Sequence, residues 1–253
     1  MIRFVALAAC LSALSLRSAE WEDQRVTSVN RLPARADVLP EARFVRSLNG
    51  GWRFRWVPTP DRRPIGFERM EYDDSAWTTI DVPSCVEMRG WGIPLYVHIG
   101  YPFPKRPPYV NRADNPVSSY RRTFSVPGDW QDRRVILRFE GVASAFHVWV
   151  NGCRIGYSED SFGTSEFDIT EYVRDEGRGM RDENLIAVQV FRWSDGSYIE
   201  DQDMFRFSGI FRDVKLWSMP NEGVWDFSVR TEREKGEGRK GDDWRVEVKV
   251  EGE

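Results

Sequence analysis

Residues 192–213 read RWSDGSYIEDQDMFRFSGIFRD and interleave Trp193, Phe205, Phe207 and Phe211 with Asp195, Glu200, Asp201, Asp203 and Asp213. A plain core tolerates that mixture poorly, because each buried carboxylate must be paired, hydrogen-bonded or bound to a cation to offset its desolvation. A carbohydrate surface suits it. Sugar rings lay apolar C–H faces on aromatic rings, and their hydroxyls seek directional acceptors such as Asp and Glu. The alternative is a turn-rich connection whose acids face water.

The rest of the chain narrows the classes. With 36 basic and 40 acidic side chains in 253 residues the net charge is −4, so no basic field points to nucleic acid and no basic run to an anionic membrane. His98 and His147 are the only histidines, which excludes a histidine-rich metal site. Cys10, Cys85 and Cys153 form neither a disulfide framework nor a metal-ligand spacing, and free, buried thiols are expected. Residues 1–19 carry Arg3, an apolar stretch over 4–16 too short to span a bilayer, and Ala19, the pattern of a signal peptide. The expectation is a secreted or periplasmic protein without a membrane span. Leu7-Ala8-Ala9-Cys10 resembles a lipoprotein box but has little apolar sequence ahead of it.

The elements that must position the acidic block are strands. Residues 52–56 alternate aromatic and basic side chains, and 134–139, 146–150, 185–191 and 214–217 are β-branched or aromatic runs of strand length. Asn151-Gly152 marks a hairpin, since a type I′ turn needs positive φ at both central residues. Residues 168–173 predict one helical turn with Asp168 as its amino-terminal cap. The five prolines within 102–116 exclude a central strand and predict a long loop pinned against the body. Phe146, Val148 and Val150 share the core face of their strand, and Arg212 and Asp213 read as a charged strand end. Short strands between Gly, Pro, Asn and Asp clusters predict an all-β antiparallel sandwich.

Several long blocks carry a family resemblance. RSLNGGWRFRW (46–56), DNPVSSYRRTF (114–124), FEGVASAFHVWVNGCRIGYSEDSFGTSEFDIT (139–170) and RWSDGSYIEDQDMFRFSGIFRDV (192–214) resemble, in order, the amino-terminal domain of glycoside hydrolase family 2 β-galactosidases. The resemblance implies a jelly roll over 20–220, then the first strands of an immunoglobulin-like sandwich over 221–253 that stops after two strands. It implies hydrolysis of β-galactosides by two glutamates on a (β/α)₈ barrel, which this chain does not contain; the chain is therefore expected to be an inactive fragment of a longer enzyme. Asp203 aligns with an acid that ligates sodium and touches galactose hydroxyls, the other ligands belonging to the barrel. His98 stands where the family has the asparagine of Ile-Tyr-Thr-Asn, an imidazole with different donor geometry. Cys85-Val86-Glu87 replaces the Asn-Trp-Gln of the family's Val-Pro-Ser-Asn-Trp-Gln and removes an aromatic anchor. Sodium, magnesium and homo-oligomers are what the family implies for full-length members. A non-catalytic role is the alternative for the chain by itself, either a carbohydrate-binding module or a piece that supports assembly of a larger enzyme. In the ion-pair alternative for Asp203, Arg206 or Arg212 pairs with it.

Overall fold

The computed structural model describes residues 19–37, 39–98, 100–175, 179–234 and 243–252. The leader predicted over 1–19, apart from Ala19, lies outside the described residues, as does Cys10. The described chain is all-β, its helical elements being 3₁₀ turns of three or four residues. Seven antiparallel strands form one sheet in the order Ser28–Val29, Cys153–Ser158, Ala145–Val150, Asn184–Phe191, Val117–Phe124, Gly50–Val57, Thr78–Val82. A four-stranded sheet runs Ser165–Asp168, Arg134–Phe139, Val214–Met219, Val45–Ser47. The core lies between them, where Trp52, Phe54, Phe146, Val148 and Val188 of the first sheet meet Leu137, Phe139, Phe167 and Leu216 of the second. The expected strands are all present, and the period-two pattern of 52–56 sets Trp52 and Phe54 in that core.

Asn184–Phe191 is buried at every position, although only one of its faces meets the second sheet. The other face is covered as well. Phe191 stacks on Trp21 at 3.9 Å between ring centroids, and Trp21, Phe103, Val110, Tyr157 and Trp193 complete a second apolar layer. Two-sided burial explains why this strand reads as a nearly continuous apolar run. The proline-rich loop supplies part of that layer through Phe103 and Val110, and Tyr198 fastens it by donating to Tyr109 O at 2.7 Å while accepting from Arg106 N at 3.0 Å.

Asn151 and Gly152 adopt φ of 52° and 82°, as a type I′ turn requires. The Asn151 side chain also donates to Tyr172 O and Asn184 Oδ1 and accepts from Leu185 N, each at 2.8 Å. Asn151→Ala is therefore expected to cost about 3 kcal/mol, at roughly 1 kcal/mol for each of the three lost bonds. Urea unfolding should show this as a lower midpoint at unchanged slope.

The predicted helical turn is smaller than expected and capped differently. It is the 3₁₀ turn Thr170–Tyr172 with Ile169 at its N-cap, while Asp168 ends a strand and accepts from Thr170 N at 3.0 Å. Cys85 and Cys153 form no disulfide among the described residues, as expected, but are half-buried rather than buried. After Met219 the chain forms a separate hairpin, Val224–Glu234 with Asp243–Gly252. It meets the sandwich where Trp225 lies under Arg35 and Arg134, 4.5 and 4.9 Å from its ring. Phe227, Val229, Trp244, Val246, Val248 and Val250 of the hairpin are exposed.

Candidate functional site

The acidic block begins as a tight turn. In the 3₁₀ helix Asp195–Tyr198, Ser194 and Ser197 cap one another reciprocally, which satisfies the amide donors that such a start leaves open. The block then arches over Arg206. This side chain, 8% exposed, donates from Nη2 to Asp201 Oδ1 at 2.7 Å and Gln202 O at 2.9 Å, and from Nη1 to Glu200 O. A planar guanidinium with five donors can hold a bend in this way, and a point-charge ammonium cannot.

Behind Arg206 lies a line of buried charges. Arg192 Nη2 donates to Ile93 O at 2.9 Å and to Arg206 O at 3.0 Å, and its Nε lies 3.5 Å from Glu87 Oε1. Burial pulls the Arg192 pKa down, and Glu87 acts in the opposite direction. Glu87 also accepts from Ser208 N at 2.9 Å and Ser208 Oγ at 2.6 Å. The substitution at 85–87 thus installs a structural carboxylate beside Val86, which is itself fully buried.

This frame sets two distant segments side by side. Met204–Phe205 pairs antiparallel with Tyr96–Val97, and Arg206 N donates to Leu95 O at 2.7 Å. Asp203 and His98, the two site residues expected from the resemblance, therefore meet. Tyr96 Oη donates to Asp203 Oδ1, and His98 Nε2 lies 3.8 Å from Asp203 Oδ2, with both side chains more than half exposed. The hydrogen bond to Asp203 pushes the Tyr96 phenol pKa up. The ion-pair alternative for Asp203 is not what forms. Arg206 points inward to Asp201, and Arg212 donates to Phe162 O at 2.8 Å, while Asp203 turns outward.

The other acids of the block are individually committed. Glu200 accepts from Ser161 N and Oγ at 2.7 and 2.6 Å, and Asp213 accepts from Asn49 at 2.9 Å and lies 3.0 Å from Lys215. Asp195 is buried against Glu159. Among the described residues no group of three or more His, Cys, Asp and Glu could hold a metal. Aromatic rings continue outward from Asp203. Phe205 stacks on Phe207 with centroids 5.3 Å apart, and Tyr96 meets Phe205 edge-on at 5.5 Å. Below them lies a cavity of about 160 Å³ lined by Phe103, Trp193, Met204, Phe205, Phe207 and Phe211 among others. An outward carboxylate with one oxygen oriented by a phenol, beside exposed rings, can accept from a sugar hydroxyl while the rings face its C–H surface.

Sequence reasoning did not single out Tyr96, Glu87 or Arg192 for the site. The one available signal was opposite charge within apolar surroundings, and it does not say which charge meets which across about a hundred residues.

The pattern described as "Glycosyl hydrolases family 2, sugar binding domain" matches residues 45–220, and the chain belongs to glycoside hydrolase family 2. It is 40% identical over 237 residues to the β-galactosidase large subunit of Leuconostoc lactis, covering 83% of this chain and 37% of that protein. It is 41% identical over 230 residues to a β-galactosidase of Priestia megaterium, covering 84% of this chain and 22% of that protein. The chain thus spans little more than a third of one relative and under a quarter of the other. Among solved structures, a β-glucuronidase of an uncultured Clostridium sp. superposes with a TM-score of 0.55 at 24% identity, covering 82% of this chain and 33% of that one. A Ruminococcus gnavus β-glucuronidase gives 0.57 at 18% identity, covering 87% and 36%. At these identities the two structures speak to the fold alone.

Proposed function

We propose that this chain forms one wall of the substrate pocket of a β-galactosidase, with Asp203 and His98 contacting hydroxyls of a terminal β-D-galactoside. The observation that carries the reading is the ribbon of Tyr96–Val97 with Met204–Phe205, which brings the two residues together and orients Asp203 through Tyr96. The two curated relatives at about 40% identity, both named β-galactosidase, support galactose as the sugar.

Asp203 suits one ligand position for sodium. Its carboxylate is a hard oxygen donor, and Oδ2 faces His98 at 3.8 Å, beyond hydrogen-bonding distance. When bound, the ion supplies a fixed positive charge that orients a sugar hydroxyl. The remaining ligands, and the pair of glutamates that a retaining mechanism needs about 5 Å apart, come from a barrel outside this chain. Magnesium and homo-oligomer formation belong to that larger assembly. In this reading 20–220 is the sugar-binding jelly roll, 221–253 opens the next domain, and the leader directs export. The chain by itself is then expected to show no turnover of a chromogenic β-galactoside. Turnover that disappears in Asp203→Ala would overturn this.

A further inference from the structure

Glu159 follows the strand Cys153–Ser158, and Asp195 opens the 3₁₀ helix Asp195–Tyr198; they are 6% and 8% exposed. Tyr157 Oη donates to Glu159 Oε1. A Cβ placed on Gly196 would lie 2.9 Å from Glu159 Oε2, so that oxygen presses against the backbone carrying Asp195. Glu159 and Asp195 thus lie close enough for one carboxyl group to hydrogen-bond the other when one of them is protonated, and Asp195 Oδ1 meets no N–H or O–H donor among the described residues. Ionised carboxylates accept and do not donate, so this contact requires a proton between them.

Among the described residues no cation is left over for a second negative charge. Glu20 and Asp23 approach from the amino-terminal segment, and Glu200 from the acidic block is taken by Ser161. Arg154 is committed to Glu20 at 2.6 Å and Arg25 to Asp23 at 2.7 Å, while Arg31 reaches the main-chain oxygen of Glu159 at 3.3 Å and lies 3.9 Å from Asp160. His147, beside the Tyr157 ring at 4.9 Å, stays neutral because burial pushes its pKa down to about 3.

We propose that Glu159 and Asp195 share one proton, and that this proton latches the start of the 194–206 loop to the sandwich, so that its removal in alkaline solution loosens the loop that carries Asp203. Burial raises both acids, and Glu159 is pushed up to about 9. The folded state therefore keeps a proton that the unfolded chain releases. Stability falls as pH rises from the ordinary Glu value of 4.5 toward about 9 and levels off above it. The shared proton rests on the burial and proximity of the two acids; only its bearing on sugar contact rests on the proposed role of Asp203.

Glu159→Gln tests the latch, since an amide N–H takes the place of the shared proton while the other atom still accepts from Tyr157. Melting temperature and amide exchange protection over 194–206 are measured from about pH 5 to 9.5 in the wild type, Glu159→Gln and Glu159→Ala. The expected result is a wild-type melting temperature and loop protection that both fall as pH rises, a flat profile for Glu159→Gln, and a low profile at every pH for Glu159→Ala. Parallel declines in the wild type and Glu159→Gln, or a Glu159→Gln profile as low as that of Glu159→Ala, would overturn the shared proton. Loop protection that persists while the wild-type melting temperature falls would overturn the latch. Sugar binding is not read, so failure of the Asp203 reading leaves this test intact.

Discussion

Glu87→Ala is expected to destabilise the chain by about 3–5 kcal/mol, the usual cost of removing one partner from a buried ionic network. The Glu87 side chain is 1% exposed and that of Arg192 is 8% exposed, so truncation leaves a guanidinium facing a void 3.5 Å from where its counter-charge stood. Ser208 loses the acceptor for both its amide and its hydroxyl, and each orphaned donor adds to the cost. Glu87→Gln separates the two contributions. The amide oxygen keeps one of the two Ser208 contacts, which reach different oxygens of Glu87, but the charge opposite Arg192 is gone, and the loss should be the larger part of that of Glu87→Ala, about 2–3 kcal/mol. Urea unfolding monitored by tryptophan fluorescence measures both, and equal losses for the two variants would place the whole effect on the charge.

Arg206→Met is the second large effect, at about 3 kcal/mol, because it keeps most of the side-chain volume and removes every donor. Asp201 Oδ1, Gln202 O and Glu200 O all lose their partner at once. The damage should be local as well as global. Amides over 200–205 are expected to lose exchange protection, while those of the strand Asn184–Phe191, buried on both faces, keep theirs. Arg206→Lys should recover only part of the loss, since an ammonium cannot meet three acceptors in one plane. Protection over 200–205 unchanged in Arg206→Met would show that the arch holds without its arginine.

These two networks also mark where the sequence stops being readable. The strands were legible because period-two alternation follows from backbone geometry, and Asn151-Gly152 because positive φ is costly for other residues. The second apolar layer was not. The run 184–191 reads as buried, but nothing local says that Trp21 and Phe103 cover its outer face. Asp203 and His98 were found through resemblance, and their meeting depends on the pairing of Tyr96–Val97 with Met204–Phe205 across about a hundred residues. Arg206 appeared as a partner for Asp203 because the two are close in sequence. The arch reverses that, turning Arg206 inward to Asp201 and Asp203 outward to Tyr96. Charge composition could not tell a solvated acid from one sharing a proton, so Glu159 and Asp195 carried no signal until their burial was known.

In the proposed reading the chain contributes Asp203 to a galactoside pocket without completing it. Titrating the isotope-labelled chain with methyl β-D-galactoside and following its amide resonances tests that most directly. Millimolar binding is expected, with perturbations confined to the neighbourhood of 96–98 and 200–207 and lost in Asp203→Ala. Micromolar affinity would make the chain a self-sufficient carbohydrate-binding module, and perturbations indifferent to Asp203→Ala would remove Asp203 from the site; either result overturns the proposed function.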